Sequence, residues 1–434
     1  MARRLDARAP DFAAAFDALV HAPRAAADIE VAQKARDIIA DVRARGDAAL
    51  IALAAQFDHC DLSAIGLRVG EDEIAQAEQS CSAEAIAALK HAGRRIEAYH
   101  RRQLPKDEFL TDESGVQLGW RWTPLDSVGL YVPGGTASYP SSVLMNAVPA
   151  KVAGVARIAM VTPARDGRIN PLVLAAAKLA GVSEIYRIGG AQAIAALAYG
   201  TESIAPVDKI VGPGNAYVAA AKREVFGQAG IDSIAGPSEI LVVADSSANP
   251  QWIAADLLSQ AEHDTSSQSI LITDDSGLAA RVEKAVDAAL GTFPRRDIAG
   301  ASWRDNGAII VVNRIEDAAT LVDRIAPEHL EIATENPEIL LKRVKHAGAI
   351  FLGHRTPEAI GDYIGGPNHV LPTSRTARFS SGLSVLDFLK RTTLLSCSDK
   401  AVDALGPDAI TLADAEGLGA HARSIAVRLG QRRS

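Results

Sequence analysis

The stretch from residue 157 to residue 226 decides the fold, because strand-like and helix-like segments alternate along it. The strand-like segments are RIAMV at 157–161, EIYRI at 184–188 and DKIV at 208–211. The helix-like segments are PLVLAAAKLA at 171–180, AQAIAALA at 191–198 and AYVAAAKREVF at 216–226. Short apolar strands that alternate with helices at this spacing predict right-handed crossovers and a parallel sheet.

A second alternating series follows closer to the C-terminus. Its predicted strands are Glu239–Val243, Ser269–Thr273, Ala308–Val312, His329–Ala333 and Ala349–Leu352. Helical stretches, among them Pro250–His263 and Pro337–Val344, separate these strands. The pattern is also helical from Asp11 to about Arg102 and again after about residue 383, with short β-type runs beyond Pro105. The sequence therefore predicts an α/β protein with two sheets and a domain boundary near residue 130.

Composition and charge restrict the function. The formal net charge of the 434 residues is −8 at pH 7, which disfavours binding to nucleic acid or to anionic membranes. Three cysteines are too few for a disulfide framework, and together with the lack of an export signal after Met1 they favour a reducing cytoplasm. The uncharged stretch 127–150 contains three prolines, and we interpret it as loops rather than as a membrane span.

Two glycine-containing turns are candidates for contacts with phosphate groups. Gly212–Tyr217 follows a predicted strand and opens a helix, where backbone N–H groups and the helix dipole can accept a pyrophosphate. Gly189–Gln192 repeats this arrangement one crossover earlier. Tyr217 replaces the third glycine of the dinucleotide fingerprint, so an ordinary strand-to-helix turn remains an alternative.

A metal site is one interpretation of Gln260 and His263, which lie three residues apart on one face of a predicted helix. Such a site needs a carboxylate and a further imidazole from elsewhere in the chain. Two pairs could supply them, Asp362 with His369 and Glu416 with His421. The alternative is a helix end at which His263 complements the helix dipole.

Glu328 and His329 lie at a predicted corner between a helix and a strand. Neighbouring strand residues point to opposite faces, so the two side chains can serve one site only if the corner bends. Pro327 makes such a bend plausible. A carboxylate beside an imidazole offers two bases for a reaction that needs two proton acceptors, whereas the alternative is an ordinary turn.

Taken together, these segments resemble the histidinol dehydrogenase family from about residue 30 to residue 428. The resemblance rests on GLYVPGG at 129–135, GGAQA at 189–193, GPGNAY at 212–217, AGPSEIL at 235–241, DLLSQAEHD at 256–264, APEHLEI at 326–332, GDYIGGPNHVLP at 361–372, GLSVLDFLKR at 382–391 and EGLGAHA at 416–422.

The resemblance implies a fold of two Rossmann-like parallel-sheet domains with additional small helical N- and C-terminal domains. The implied boundaries are 1–25 for the N-terminal helical segment, 26–130 plus 238–382 for the domain with the metal and catalytic residues, 131–237 for the NAD-binding domain and 383–434 for the C-terminal helical domain. It also implies an interlaced homodimer, in which the C-terminal segment completes the site of the neighbouring subunit.

The activity implied by the resemblance is the oxidation of L-histidinol through L-histidinaldehyde to L-histidine, with two NAD+ and one Zn2+ per subunit. The implied metal ligands are Gln260, His263, Asp362 and His421. The implied catalytic pair is Glu328, which activates water, and His329, which is neutral and removes protons. NAD-contacting positions are Tyr131, Gln192 and Asn215. Substrate-contacting positions are Ser238, Gln260, His263, His329, Asp362, Glu416 and His421. The resemblance assigns no role to His369, which we interpret as structural.

Three other functions fit parts of the pattern. A related dehydrogenase could act on another small diol or hydroxy acid, but the spacing of Glu416 and His421 matches the histidinol form. A zinc hydrolase could use Glu328 to activate water, but it would leave both glycine turns without a purpose. An inactive scaffold would have no reason to retain every proposed ligand and base.

Overall fold

The computed structural model describes residues 2–22, 29–134 and 139–430. Gly135 of the GLYVPGG motif, residues 23–25 of the expected N-terminal segment and the tail 431–434 lie outside the described residues. In chain order, the strands are β1 (Arg3–Asp6), β2 (Glu108–Thr111), β3 (Val116–Pro124), β4 (Ser127–Tyr131), β5 (Arg157–Val161), β6 (Glu184–Tyr186), β7 (Lys209–Val211), β8 (Gly230–Ile231), β9 (Glu239–Ala244), β10 (Gln268–Thr273), β11 (Ala308–Val311), β12 (His329–Ala333), β13 (Ala349–Leu352) and β14 (Leu389–Cys397).

The helices complete the list of elements. In chain order they are α1 (Phe12–Val20), α2 (Ile29–Arg45), α3 (Asp47–Asp58), α4 (Leu62–Ile65), α5 (Glu71–Ser80), α6 (Ala83–Arg101), α7 (Pro140–Ala153), α8 (Pro171–Ala180), α9 (Gly190–Tyr199), α10 (Ala216–Val225), α11 (Pro250–Ala261), α12 (Ser276–Leu290), α13 (Arg296–Asn306), α14 (Ala318–Ile325), α15 (Pro337–Leu341), α16 (Glu358–Ile360), α17 (Asp399–Ala415) and α18 (Gly419–Ala426). Within the described ranges, each helix is too short or too polar to traverse a lipid bilayer.

Two parallel sheets confirm the predicted α/β fold. The five-stranded sheet has the order β6-β5-β4-β7-β8, and the six-stranded sheet has the order β1-β11-β10-β9-β12-β13. Apart from the added edge strand β1, both follow the same winding, in which the chain starts at a central strand, moves outward and then returns to the other side. This is the Rossmann-like arrangement, and the strand order reverses between β4 and β7 in one sheet and between β9 and β12 in the other.

Helices cover both faces of each sheet. In the six-stranded domain, α11, α12 and α13 pack on one face, and α1, α14 and α15 pack on the other. In the five-stranded domain, α2, α3, α9 and α10 form one layer, and α5, α6, α7 and α8 form the opposite layer. The buried and mostly apolar inner strands of both sheets follow from this double coverage, since neither face meets water.

The domain boundaries differ from those expected. We expected 26–130 to belong with 238–382, but α2, α3, α5 and α6 pack on the five-stranded sheet, whose central strand is β4. Val385 and Phe388, from the segment expected to start the C-terminal domain, are also buried in this core. Without α2 to α6 the sheet would lack much of its cover on both faces, which explains why these helices pack there.

Both ends of the chain contain strands where we expected only helices. Arg3–Asp6 forms β1, which pairs in parallel with β11 and places Leu5 in the core of the six-stranded domain. Leu389–Cys397 forms β14, which pairs antiparallel with β3 in a small sheet that also contains β2. The purely helical expectation was therefore wrong for these two segments. Most side chains of β14 are exposed, so no apolar alternation marks it in the sequence.

The interpretation of 127–150 as loops was also wrong, because β4 and α7 occupy much of it. Pro140 lies in the first turn of α7, where its missing N–H group costs nothing. Pro149 lies inside the helix and cannot bond to the carbonyl of Met145 one turn earlier. The side chain of Asn368 donates to that carbonyl instead, at 2.6 Å. A partner distant in sequence thus makes the internal proline tolerable.

A buried ion pair between Lys222 and Asp232 fixes the turn that follows β7. The two side chains are 2% and 4% exposed. Lys222 Nζ also donates to Gly212 O at 3.1 Å, and Gly212 N donates to Asp232 Oδ2 at 2.8 Å. Gly212 has φ +108°, and a Cβ atom there would lie 2.2 Å from Tyr131 O. The ion pair therefore holds both backbone groups of a residue that must be glycine.

We predict that Lys222→Met lowers the free energy of unfolding by about 3–5 kcal/mol, because Asp232 would remain buried without a counter-charge. The control is Arg36→Met, which removes one side of the exposed Arg36–Glu224 pair and should cost less than about 1 kcal/mol. Urea unfolding followed by circular dichroism measures both variants. Equal losses in the two variants would show that the buried pair does not stabilise this turn.

Candidate active site

The candidate site lies at the amino edge of the six-stranded sheet, where its strand order reverses. β9 begins at Glu239 and β12 begins at His329, and these two strands are neighbours. α11 runs back across the sheet, so Gln260 in its last turn lies near the same edge. Ala326 ends α14 with φ +49°, and Pro327 follows it. The chain bends at this corner, as expected from Pro327, and brings Glu328 Oε2 to 3.7 Å from His329 Nδ1.

Carboxylates surround the imidazole of His329, which is 3% exposed. Its Nδ1 lies 3.0 Å from Glu239 O, and its Nε2 lies 3.6 Å from Asp362 Oδ1 and 3.8 Å from Glu358 Oε1. Burial alone would lower the pKa of His329, but the nearby carboxylates outweigh burial and raise the pKa to about 10. The carboxylates around the ring therefore favour its protonated form.

Glu328 is held against the start of β9. Glu239 N donates to Glu328 Oε2 at 2.8 Å, and Glu328 N donates to Glu239 Oε2 at 3.4 Å. Complete burial raises the pKa of Glu328 to about 8. The carboxyl of Glu239 in turn accepts from Ser374 N at 2.8 Å. Glu328 is thus a fixed carboxyl group whose pKa lies near neutrality, as a general base requires.

The side-chain amide of Gln260 has an unusual environment. The residue is completely buried, and neither Oε1 nor Nε2 of its amide has a hydrogen-bond partner among the described residues. A buried amide without partners is costly, so its presence indicates a ligand of the protein. Gln260 lies on α11 three residues before His263, and the charge of Asp362 acts on the ring of His263.

The pKa shifts of His263 and Asp362 favour a neutral imidazole and an ionised carboxylate, the forms that bind a metal. His263 is exposed on one side, yet burial of the rest of the ring lowers its pKa. Burial would raise the pKa of Asp362, but the nearby imidazoles of His329, His369 and His263 lower it to about 2. Ligand atoms of His329, Glu358 and Asp362 also lie within 4.8 Å of one another. Neutral imidazole, amide and carboxylate donors together suit a borderline divalent cation such as Zn2+.

The loop that carries Asp362 is fastened to α7. His369 Nδ1 lies 3.0 Å from Asp362 O, and His369 Nε2 lies 3.2 Å from Ser142 Oγ. Asn368, which bonds to α7 through Met145 O, belongs to the same loop. His369 and Asn368 therefore attach the segment of Asp362 to α7.

Sequence reasoning missed Glu358, which is 3% exposed and faces His329. Its Oε2 accepts from Ser259 Oγ at 3.3 Å, and its backbone N donates to Glu331 Oε1 at 2.6 Å. Burial raises the pKa of Glu358 to about 7. The spacing of Glu358 and Asp362, four residues apart, was the available signal, because such residues share one face of a helical turn.

A second group of candidate residues meets at the carboxyl edge of the five-stranded sheet. Tyr131 ends β4, and its hydroxyl accepts from Gly190 N at 3.1 Å. Burial raises the pKa of Tyr131 to about 12, so the hydroxyl keeps its proton. Gln192 is buried in the first turn of α9, and Asn215 caps α10 by accepting from two backbone amides. The Gly212–Tyr217 turn follows β7 and borders the point of strand reversal, where such folds bind dinucleotides. The Gly189–Gln192 turn follows β6, two strands away from β4, and contacts the end of β4 through the Tyr131 hydroxyl.

Three of the expected site residues have other positions. Ser238 directly precedes β9 and so lies at the same edge as Glu239. Glu416 and His421 are exposed on the C-terminal helices, and within the described ranges no hydrogen bond or ion pair links either of them to Gln260, His263 or Asp362. Within one chain, Glu328 and Asp362 approach His329, and the charge of Asp362 acts on His263, which follows Gln260 by three residues.

Comparisons with known proteins agree with this geometry. A family model described as histidinol dehydrogenase matches residues 22–429. A curated histidinol dehydrogenase from Rhodopseudomonas palustris is 63% identical over 433 residues, which cover 100% of both chains. Another from Bradyrhizobium diazoefficiens is 64% identical over 427 residues, 98% of this chain and 99% of the relative.

A solved structure gives the same result for the fold. The crystal structure of histidinol dehydrogenase from Elizabethkingia anophelis matches with a TM-score of 0.94 and 38% identity, covering 99% of this chain and 98% of that one. Sequence and structure therefore agree over nearly the full length, and the chain belongs to the histidinol dehydrogenase family.

Proposed function

We propose that this chain is a zinc- and NAD+-dependent L-histidinol dehydrogenase of the cytoplasm, which oxidises L-histidinol through L-histidinaldehyde to L-histidine. The observation that carries the proposal is the completely buried, unpartnered amide of Gln260, three residues before His263 on α11, since the charge of Asp362 acts on the ring of His263. Family membership supplies the substrate, and the buried pair of bases supplies the means for two successive proton removals.

Gln260, His263 and Asp362 are the proposed zinc ligands from one chain, and His421 is the fourth. Bound zinc supplies a Lewis acid for the imidazole and amine of the substrate, together with a positive charge that offsets the carboxylates around His329. Ser238 and Glu416 are the proposed additional contacts to the substrate. The amide of Gln260 is free for this role because no group among the described residues bonds to it.

His329 is the proposed base for the alcohol. Donation from Nδ1–H to Glu239 O fixes the tautomer in which Nε2 is the free acceptor. Nε2 has no hydrogen-bond partner among the described residues, so it can accept the proton of the substrate hydroxyl once the ring is neutral. NAD+, contacted by Tyr131, Gln192 and Asn215, accepts the hydride in both oxidations.

Glu328 is the proposed base for the second half of the reaction. Hydride can leave the aldehyde carbon only after water has added to it, and the carboxylate of Glu328 removes a proton from that water. His329 then deprotonates the hydrate for the second oxidation. Two bases are needed because two different oxygen atoms lose protons. Since Glu328 Oε2 lies 3.7 Å from His329 Nδ1, both bases can act on the same carbon of one bound substrate.

We also propose a homodimer in which Glu416 and His421 act on the site of the partner subunit. α17 and α18 form a small hydrophobic cluster from their own residues alone. Large apolar side chains on these helices remain exposed in the single chain, among them Leu405, Leu412, Leu418 and Val427. A second copy would cover this surface and bring its imidazole to the exposed side of His263.

The first prediction concerns the two bases. We expect Glu328→Gln to slow oxidation of histidinaldehyde about 10²–10³-fold, because water activation is lost, while the oxidation of histidinol to the aldehyde changes less than about tenfold. His329→Gln should slow both half-reactions with zinc content unchanged. Stopped-flow measurement of NADH with each substrate tests this. Equal losses of both steps in Glu328→Gln would contradict the assignment of water activation.

The second prediction concerns the metal. We expect His263→Asn to lose most of its bound zinc during dialysis, since one of the four ligands is missing. The control is His91→Asn, which changes an exposed imidazole on α6 that lies outside the site. Zinc per subunit is measured by atomic emission. A fully loaded His263→Asn protein would remove His263 from the ligand set.

The third prediction concerns the dimer. His421→Asn and His263→Asn should each be inactive, whereas co-expression of the two should restore about a quarter of the activity per subunit, because half of random dimers are mixed and one of their two sites is intact. Differently tagged chains allow the mixed dimer to be purified and assayed. An inactive mixed dimer would place His421 in the site of its own chain.

A further inference from the structure

A basic pocket lies near the amino edge of the six-stranded sheet and outside the residues assigned to catalysis. Its volume is about 500 Å3. Six residues of its lining are basic, namely Arg324, Arg343, Lys345, His346, Arg375 and Arg378. They come from the end of α14, the segment between α15 and β13, and the loop after residue 372. We call this the basic pocket.

The lining provides little negative charge of its own. Asp323 is the only acidic residue in it, and its Oδ1 already accepts from the backbone N atoms of Lys345 and His346, at 2.7 and 3.0 Å. Arg324 pairs with Asp17. Cations therefore outnumber carboxylates here, although the whole chain has a net charge of −8. A local excess of positive charge favours the binding of an anion.

Helix capping explains only part of this charge. Arg324 lies in the last turn of α14, where a cation complements the dipole, and Arg375 Nε donates to Arg324 O at 3.1 Å. The side chains of Arg343 and Lys345 make no hydrogen bond or ion pair within the described part of the chain. Both are exposed. Their charged groups are therefore available to a ligand without breaking any existing contact.

We propose that the basic pocket binds a small anion that carries two linked phosphate groups, with Arg343 and Lys345 as its principal contacts. Guanidinium groups pair with phosphate oxygens through two parallel hydrogen bonds, and an ammonium group adds a point charge. A single phosphate would not fill a space of about 500 Å3, whereas a diphosphate with an attached group fits that size.

The loop that carries Arg375 joins the basic pocket to the candidate active site. Ser374 and Arg375 have φ +53° and +65°, which is uncommon for residues with side chains. Ser374 N donates to the Glu239 carboxyl, and Glu239 N donates to Glu328 Oε2. An anion held by Arg375 would thus act on the segment that positions Glu328, which gives the occupied pocket a route to influence the reaction.

The test is calorimetric titration of the zinc-loaded protein with inorganic pyrophosphate at low ionic strength. We expect the double variant Arg343→Gln/Lys345→Gln to bind pyrophosphate at least about tenfold more weakly than the wild type. The control Lys342→Gln removes a neighbouring exposed charge that does not line the pocket, and it should change the affinity less than about twofold. Contact of pyrophosphate with zinc would be equal in all three proteins.

Two further measurements identify the source of the diphosphate. Inorganic phosphate should bind more weakly than pyrophosphate, since it can engage fewer cations at once. If the affinity for NAD+ also falls in the double variant, the diphosphate of the dinucleotide is the ligand of the basic pocket. If the affinity for NAD+ is unchanged, the ligand is a free diphosphate compound. The proposal is overturned if pyrophosphate fails to bind the wild type, or binds the double variant and Lys342→Gln equally well.

Discussion

The candidate site depends on buried negative charge that the protein itself does not neutralise. Glu328, Glu358 and Asp362 all approach His329, and Glu331 with Asp256 lies behind them. Carboxylates in a low-dielectric interior require a cation or a proton, so burial raises the pKa of Glu328 and of Glu358. The protonated state of His329 compensates part of this charge in the protein alone. A divalent cation would compensate it better, and it would free His329 to act as a base.

This constraint explains why the loop of Asp362 is so firmly held. Three carboxyl groups near one imidazole repel each other, and a mobile loop would move its carboxylate into solvent. His369 and Asn368 instead attach the loop to α7 in the five-stranded domain. The same contacts fix the metal-ligand loop relative to the sheet edge that carries Tyr131 and the glycine turns. One set of hydrogen bonds therefore holds the candidate metal site and the candidate dinucleotide site in a constant relation.

Much of this fold could be predicted from the sequence, because apolar strands that alternate with helices indicate a buried parallel sheet. The predictions that failed concern residues whose interaction partners are distant in the sequence. Pro149 suggested a loop because nothing near it reveals that Asn368 bonds to Met145 O. The helices between 29 and 101 show an apolar stripe, but a stripe does not say which sheet it will cover. In the site, spacing found Gln260 with His263, and a bend was foreseen at Pro327, but Glu358 was overlooked because a glutamate at a helix start is ordinarily a surface residue.

The shape of the site also bears on the proposed contribution of a second chain. Gln260 is completely buried on the inner side, whereas His263 opens to the surface and Asp362 is partly exposed. A cation held by these three residues is enclosed from the interior and open on the outer side. A ligand from the same chain would have to cross the surface from helices whose hydrophobic cluster consists of their own residues. A histidine from a second copy can approach along the open side, and by doing so it would exclude water from a bound aldehyde that must be hydrated only where Glu328 directs it.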